Sequence, residues 1–131
     1  MAAIESPVFN HQTVYVVDLD KSTAFYKDVM NLTQIDEPFK DGMHSWFRIG
    51  PHNQLHVVSG AEKKEAHDIN IHIAFKVASL TDFMKHLDEL KIKYGNVQGQ
   101  QGISQARPDG INQIYFQDPD GYWLEVNDDK F

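Results

Sequence analysis

Four side chains of metal-ligating type recur in matched surroundings in this sequence: His11, His56, His72 and Glu125. Each lies within a short run of mostly apolar residues, among them Gln54-Leu-His56-Val57 and Trp123-Leu-Glu125-Val126. If these runs are β-strands, successive side chains alternate between the two faces. The apolar neighbours then turn one way and the ligand-type residue turns the other. A lone histidine on the open face of a strand is commonly a polar surface residue. Placement at equivalent positions of a repeat is what singles these four out. Three imidazoles and a carboxylate suit one divalent first-row metal ion: Zn, Ni, Co, Mn or Fe. Four protein ligands on an octahedral ion leave two adjacent positions for a bidentate pair of substrate oxygens. The ion then acts as a Lewis acid, and Glu125, the one anionic donor, is the expected catalytic group for proton transfer.

The elements that must position these residues follow from periodicity and turn chemistry. A strand is expected over 8–17, followed by a helix over 21–30 that Asp18 and Asp20 can cap. Further strands are expected over 33–37, 43–49 and 54–59. Residues 60–68 are charged and poor in apolar side chains, and they read as a linker. The pattern then restarts. A strand over 69–77 places Ile71, Ile73, Phe75 and Val77 on one face and His72 on the other. Ser79 caps a helix over 80–91 whose apolar stripe is Leu80, Phe83, Met84, Leu87 and Leu90. One short strand is expected within 95–110. Last comes a hairpin turning at Asp118-Pro-Asp-Gly121, where Pro presets φ and Gly supplies a positive φ.

The two halves are copies in outline. Phe47 precedes His56 by the same interval as Phe116 precedes Glu125, so Leu55-His-Val57 matches Leu124-Glu-Val126, and Asn10-His11 matches Ile71-His72. The expected fold is α+β: one domain over 1–131 built of two tandem βαβββ modules, approximately 8–60 and 69–128. Their curved mixed sheets are expected to form a cup lined by the four ligands, with the helices on the outer face. On the third strand His44, Trp46 and Arg48 share a face. Trp46 and Trp123 are candidates for the apolar wall of a substrate pocket, and Arg48 or Arg107 for a contact to a substrate carboxylate. His52, His67 and His86 sit in turn, linker and helix-surface contexts and read as ordinary polar residues.

The whole-chain totals narrow the class. A length of 131 residues is enough to bury a real core, and 41% hydrophobic with 24% charged residues is ordinary for a globular protein. A net charge of −7 without a basic block argues against nucleic acid or an anionic membrane as partner. There is no cysteine, hence no disulfide framework and no catalytic thiol. Neither a signal peptide nor an apolar run of membrane-spanning length is apparent, so a cytoplasmic protein is expected.

On these residues the chain resembles the vicinal oxygen chelate superfamily, which includes glyoxalase I, extradiol dioxygenases, and fosfomycin- and bleomycin-resistance proteins. The resemblance is carried by Asn10-His11, Val17-Asp-Leu-Asp-Lys-Ser22, Phe25-Tyr26, Gln54-Leu-His-Val57, His72-Ile-Ala-Phe75 and Tyr115-Phe-Gln-Asp-Pro-Asp-Gly-Tyr-Trp-Leu-Glu125. It implies metal ligands at His11, His56, His72 and Glu125. His56 stands where several members have glutamate or glutamine. Two positions that hold glutathione in bacterial glyoxalase I are Tyr15 and Gly60 here, so glutathione dependence does not carry over. Thr13 matches the fosfomycin-resistance enzymes, but their arginine beyond the final glutamate has no counterpart. Thr13 and Tyr15 join the substrate-pocket candidates on this basis. Bleomycin-binding members usually lack the ligand set. The resemblance implies a homodimer and a metal-dependent lyase or isomerase of glyoxalase type acting on a small oxygen-chelating compound. The alternatives are an Fe(II) ring-cleaving dioxygenase and a non-catalytic small-molecule binding or resistance protein.

Overall fold

The computed structural model describes residues 1–131, which divide into two compact units, Met1–Glu62 and Lys63–Phe131. The first unit opens with β1 (His11–Val16) and α1 (Leu19–Ala24), which runs on into a π-helical turn, Phe25–Val29. Strands β2 (Gln34–Ile35), β3 (His44–Arg48) and β4 (Gln54–Ser59) follow. The second unit repeats the order with β5 (His72–Lys76), α2 (Leu80–Glu89), β6 (Gln105–Ala106), β7 (Asn112–Gln117) and β8 (Trp123–Asn127). Both sheets are mixed and have the same topology, β1-β4-β3-β2 and β5-β8-β7-β6. In each, the last strand pairs parallel with the first and antiparallel with the third. These are the two βαβββ modules expected from the sequence.

The core of each unit follows from strand alternation. Val14, Val16, Phe47, Leu55 and Val57 are fully buried beneath α1, whose Thr23 Oγ1 lies 2.6 Å from Ser45 Oγ on β3. In the second unit Ile114, Leu124 and Val126 are fully buried, and the Phe83 ring on α2 reaches the Phe116 ring on β7. Each such side chain withdraws enough apolar surface to stabilise by about 1.5–3 kcal/mol. With one face of each sheet committed to a helix, the ligand-type residues are left on the other.

Several boundaries differ from the sequence expectation, each for a local reason. β1 begins at His11, so 8–10 lie outside the strand. The first helix starts at Leu19 because Asp18 alone caps it, accepting from Lys21 N, while Asp20 sits in its first turn. β5 begins at His72 because Asp68 closes a turn on the residues before it, through its backbone carbonyl to Ile71 N and its side chain to Asn70 N. Ile71 is therefore 79% exposed and is not part of the buried face. Ser79 Oγ accepts from Asp82 N and starts α2, which ends at Glu89. Leu90 is its C-cap and is exposed, outside the apolar stripe. The β7–β8 turn closes as expected: Gly121 N bonds Asp118 O at 3.0 Å with φ +87° at Gly121, and Asp118 Oδ1 accepts from Asp120 N and Tyr122 N.

Candidate metal centre

Strand register brings the four ligand-type residues together two by two. On β1 and β4, His11 is opposite Gln54, and His56 lies two residues further along. On β5 and β8, His72 is opposite Trp123, and Glu125 lies two residues further along. The two pairs therefore occupy the same diagonal of the same parallel strand pair in each unit. The third strand supplies an aromatic opposite each inner member: Trp46 faces His56, and Tyr115 faces Glu125.

In the first unit His56 is clamped between rings. Trp46 lies flat on it at 3.7 Å and 2°, and His11 stacks on it at 4.0 Å and 19°. Burial, and after it the neighbouring His11 and His44, push the His56 pKa down to about 4. It is thus a neutral imidazole at neutral pH, the form that ligates a metal. Its Nε2 is 2.9 Å from Gln54 Oε1, and His11 Nδ1 is 2.7 Å from Asn10 Oδ1. Stacked rings point their in-plane lone pairs in parallel, so this pair is not yet a chelate.

The second unit holds a tighter arrangement. His72 Nδ1 lies 2.8 Å from the Ile69 carbonyl oxygen, which can only accept, so Nδ1 carries a hydrogen. In the neutral ring the lone pair is then on Nε2, which lies 3.4 Å from Glu125 Oε1. Two acceptor atoms facing each other call for a cation between them, whether a proton or a metal ion. Imidazole nitrogens and a carboxylate are donor types that a divalent first-row ion takes, so both pairs fit a metal by their chemistry. No three His, Asp or Glu side chains gather into one group able to hold an ion.

Glu125 is buried and bonded at both oxygens: Tyr115 Oη donates to Oε1 at 2.9 Å and Asn127 Nδ2 to Oε2 at 2.7 Å. Gln113 Nε2 in turn donates to Tyr115 Oη at 3.2 Å. Burial and the Glu125 carboxylate raise the Tyr115 pKa to about 12, which keeps the phenol a donor. Sequence reasoning assigned no role to Gln113, Tyr115 or Asn127. The signal was present, since alternation on both arms of the hairpin puts these three on the Glu125 face.

The other candidates are placed as follows. Thr13 is opposite His56 and exposed. Tyr15 is about half exposed and lies over Gly60, where an added Cβ would come within 3.2 Å of its hydroxyl. His44 stacks on Phe39 at 4.2 Å and meets Asp41 Oδ1 at 2.9 Å. Trp46 Nε1 is buried without a hydrogen-bond partner. Arg48 is exposed. The Arg107 guanidinium is engaged by Asp109, whose carboxyl it holds down at about 2, and by Asp129 at 3.5 Å. Trp123 is anchored by its indole N–H to the His67 carbonyl at 3.0 Å.

Comparison with known families decides what this arrangement belongs to. The model of the Glyoxalase/Bleomycin resistance protein/Dioxygenase superfamily matches residues 8–126. The chain is a member of this superfamily. Among solved structures it is similar to an oxidase, ChaP-H2 (21% identity, 97% of each chain, TM-score 0.78). It is also similar to a lactoylglutathione lyase from Agrobacterium tumefaciens (22% identity, 96% of each chain, TM-score 0.71). A third is the genomically encoded fosfomycin resistance protein FosX from Listeria monocytogenes (21% identity, 98% of this chain and 97% of that one, TM-score 0.70). At such identities these superfamily members share the fold. No curated protein sequence matches the chain.

Proposed function

We propose that this superfamily member is a divalent-metal-dependent lyase or isomerase of glyoxalase type, acting on a small oxygen-chelating substrate. The observation that carries the reading is the repeated diagonal pair, His11 with His56 and His72 with Glu125, at equivalent register in both units. In this reading His11, His56, His72 and Glu125 are ligands to a divalent metal: Zn, Ni, Co, Mn or Fe. When bound, the ion supplies Lewis acidity towards two substrate oxygens and opposes the negative charge that develops on them. Rotation of the exposed His11 ring off His56 would free both imidazoles to ligate.

The chain's own residues then have definite tasks. Glu125 takes a proton from a substrate carbon beside the chelating oxygens and returns it to a neighbouring atom, ending as the carboxylate it began as. Tyr115 Oη and Asn127 Nδ2 donate to its two oxygens and hold that carboxylate in place. The Ile69 carbonyl fixes the tautomer of His72. Trp46 offers a flat apolar wall and an unspent N–H donor beside His56.

Glutathione dependence does not follow from this reading. The two positions that depart from the bacterial glyoxalase pattern touch each other, with Tyr15 filling the space over Gly60. The protein is proposed to act as a cytoplasmic homodimer; no helix in it is long and apolar enough to cross a membrane. Turnover is tested by screening 2-oxoaldehyde thiol adducts, epoxides and 2-oxo acids with protein loaded in turn with each metal. Metal-dependent conversion lost in Glu125→Gln supports the proposal. Oxygen consumption with a catechol on the iron-loaded protein would replace it with ring-cleaving dioxygenation. Tight ligand binding without metal or turnover would replace it with a binding or resistance role.

A further inference from the structure

A cavity of about 400 Å³ opens in the second unit between the segment leaving α2 and the β7–β8 hairpin. Tyr94, Tyr115, Phe116 and Trp123 are among its lining residues, and its only charged lining residues are Lys91 and Lys93. That volume is in the range of small-molecule pockets. In a chain of net charge −7 this lining carries two cations; the Asp88 carboxylate, bonded to the Tyr94 side chain, lies in an adjoining hollow that shares both lysines.

Lys91 carries a second observation. Its N–H bonds the Asp88 carbonyl at 3.1 Å, and Ile92 N–H bonds the Leu87 carbonyl at 2.9 Å. This paired closure ends a helix on a left-handed residue, and Lys91 has φ +58°. Glycine or asparagine is the low-cost occupant of such a position. The first unit conforms, with Asn31 at φ +54° just past its helix. Lys40 also has a left-handed backbone, at φ +55°, so what distinguishes Lys91 is its place in the lining of this cavity.

We propose that this cavity binds a small planar organic anion. Lys91 and Lys93 hold its carboxylate or phosphate, and its flat body lies against Trp123 and Tyr115. Trp123 is a fixed platform because its indole N–H is bonded to the His67 carbonyl. Tyr115 links the cavity to Glu125, since it is a lining residue and its hydroxyl donates to Oε1. The proposal rests on the second unit alone and requires no metal, so it stands or falls apart from the catalytic reading.

The test is an NMR titration of the ¹⁵N-labelled, metal-free protein with benzoate, phenyl phosphate and neutral benzamide. Wild type is compared with Lys93→Gln and with Lys91→Asn/Lys93→Gln, asparagine being chosen because it tolerates a left-handed backbone. The expected result is saturable binding of at least one anion, with shifts concentrated on the Trp123 indole and the amides of 91–94. Benzamide should bind about tenfold more weakly or worse, and the double variant should lose about tenfold in anion affinity. Added salt should weaken the anions and spare benzamide. The stronger of the two anions identifies the head group. Equal binding of benzamide, shifts elsewhere, absence of saturation at millimolar concentrations, or unchanged affinity in the double variant would each overturn the proposal. If the double variant loses amide dispersion, the benzamide and salt comparisons on wild type decide.

Discussion

At the scale of single residues, the candidate centre is defined by who holds whom. His56 gives a stability prediction with a definite sign. Its folded-state pKa, about 4, lies below the ordinary histidine value near 6.5. Between those pH values the unfolded chain binds a proton that the folded one refuses, so stability is lost as pH falls through this window. Discounted for partial solvent screening, the loss is about 2 kcal/mol. Urea titrations of metal-free protein at pH 7 and pH 4.5 should show this difference shrinking in His56→Gln. Tyr115→Phe removes the donor to Glu125 Oε1 and should cost about 1–2 kcal/mol in the same assay. The ligand-type residues themselves were legible in the sequence, because alternation fixes which side chains leave the apolar face. Alternation also puts Tyr115 and Asn127 on the Glu125 face, but that Tyr115 stands directly opposite Glu125 depends on the register of the hairpin.

At the scale of elements, the duplicated topology follows from short-range signals: strand alternation, the Ser79 cap, and the turn at 118–121. Ser79→Ala should lower stability by about 1 kcal/mol through loss of the bond to Asp82 N. What the sequence left hidden came from local competition. Asp68 draws its followers into a turn and delays β5, and the π-helical turn at Phe25–Val29 has no periodicity distinct from a short α-helix. Gly95 is another hidden constraint. A Cβ there would stand 2.1 Å from the Gln100 carbonyl oxygen, because the 94–102 loop folds back on itself. Gly95→Ala should therefore cost about 3 kcal/mol. Gly110→Ala meets nothing within 4 Å and strains only a φ of +88°, which costs about 1 kcal/mol. Thermal melts of the two variants check the order.

At the scale of the whole molecule, the chain is a superfamily member, and the metal-dependent chemistry we propose for it draws on its repeated donor pairs. An ion bound by the proposed ligands would stabilise the folded chain by an amount that rises with the logarithm of its affinity. The most direct measurement is elemental analysis of purified protein, reconstituted with each candidate metal, beside His56→Ala and Glu125→Gln. About one tightly held ion per chain is expected in the wild type, with its loss in both variants while they remain folded. A wild-type protein that takes up no metal, or variants that retain it in full, would rule out these ligands.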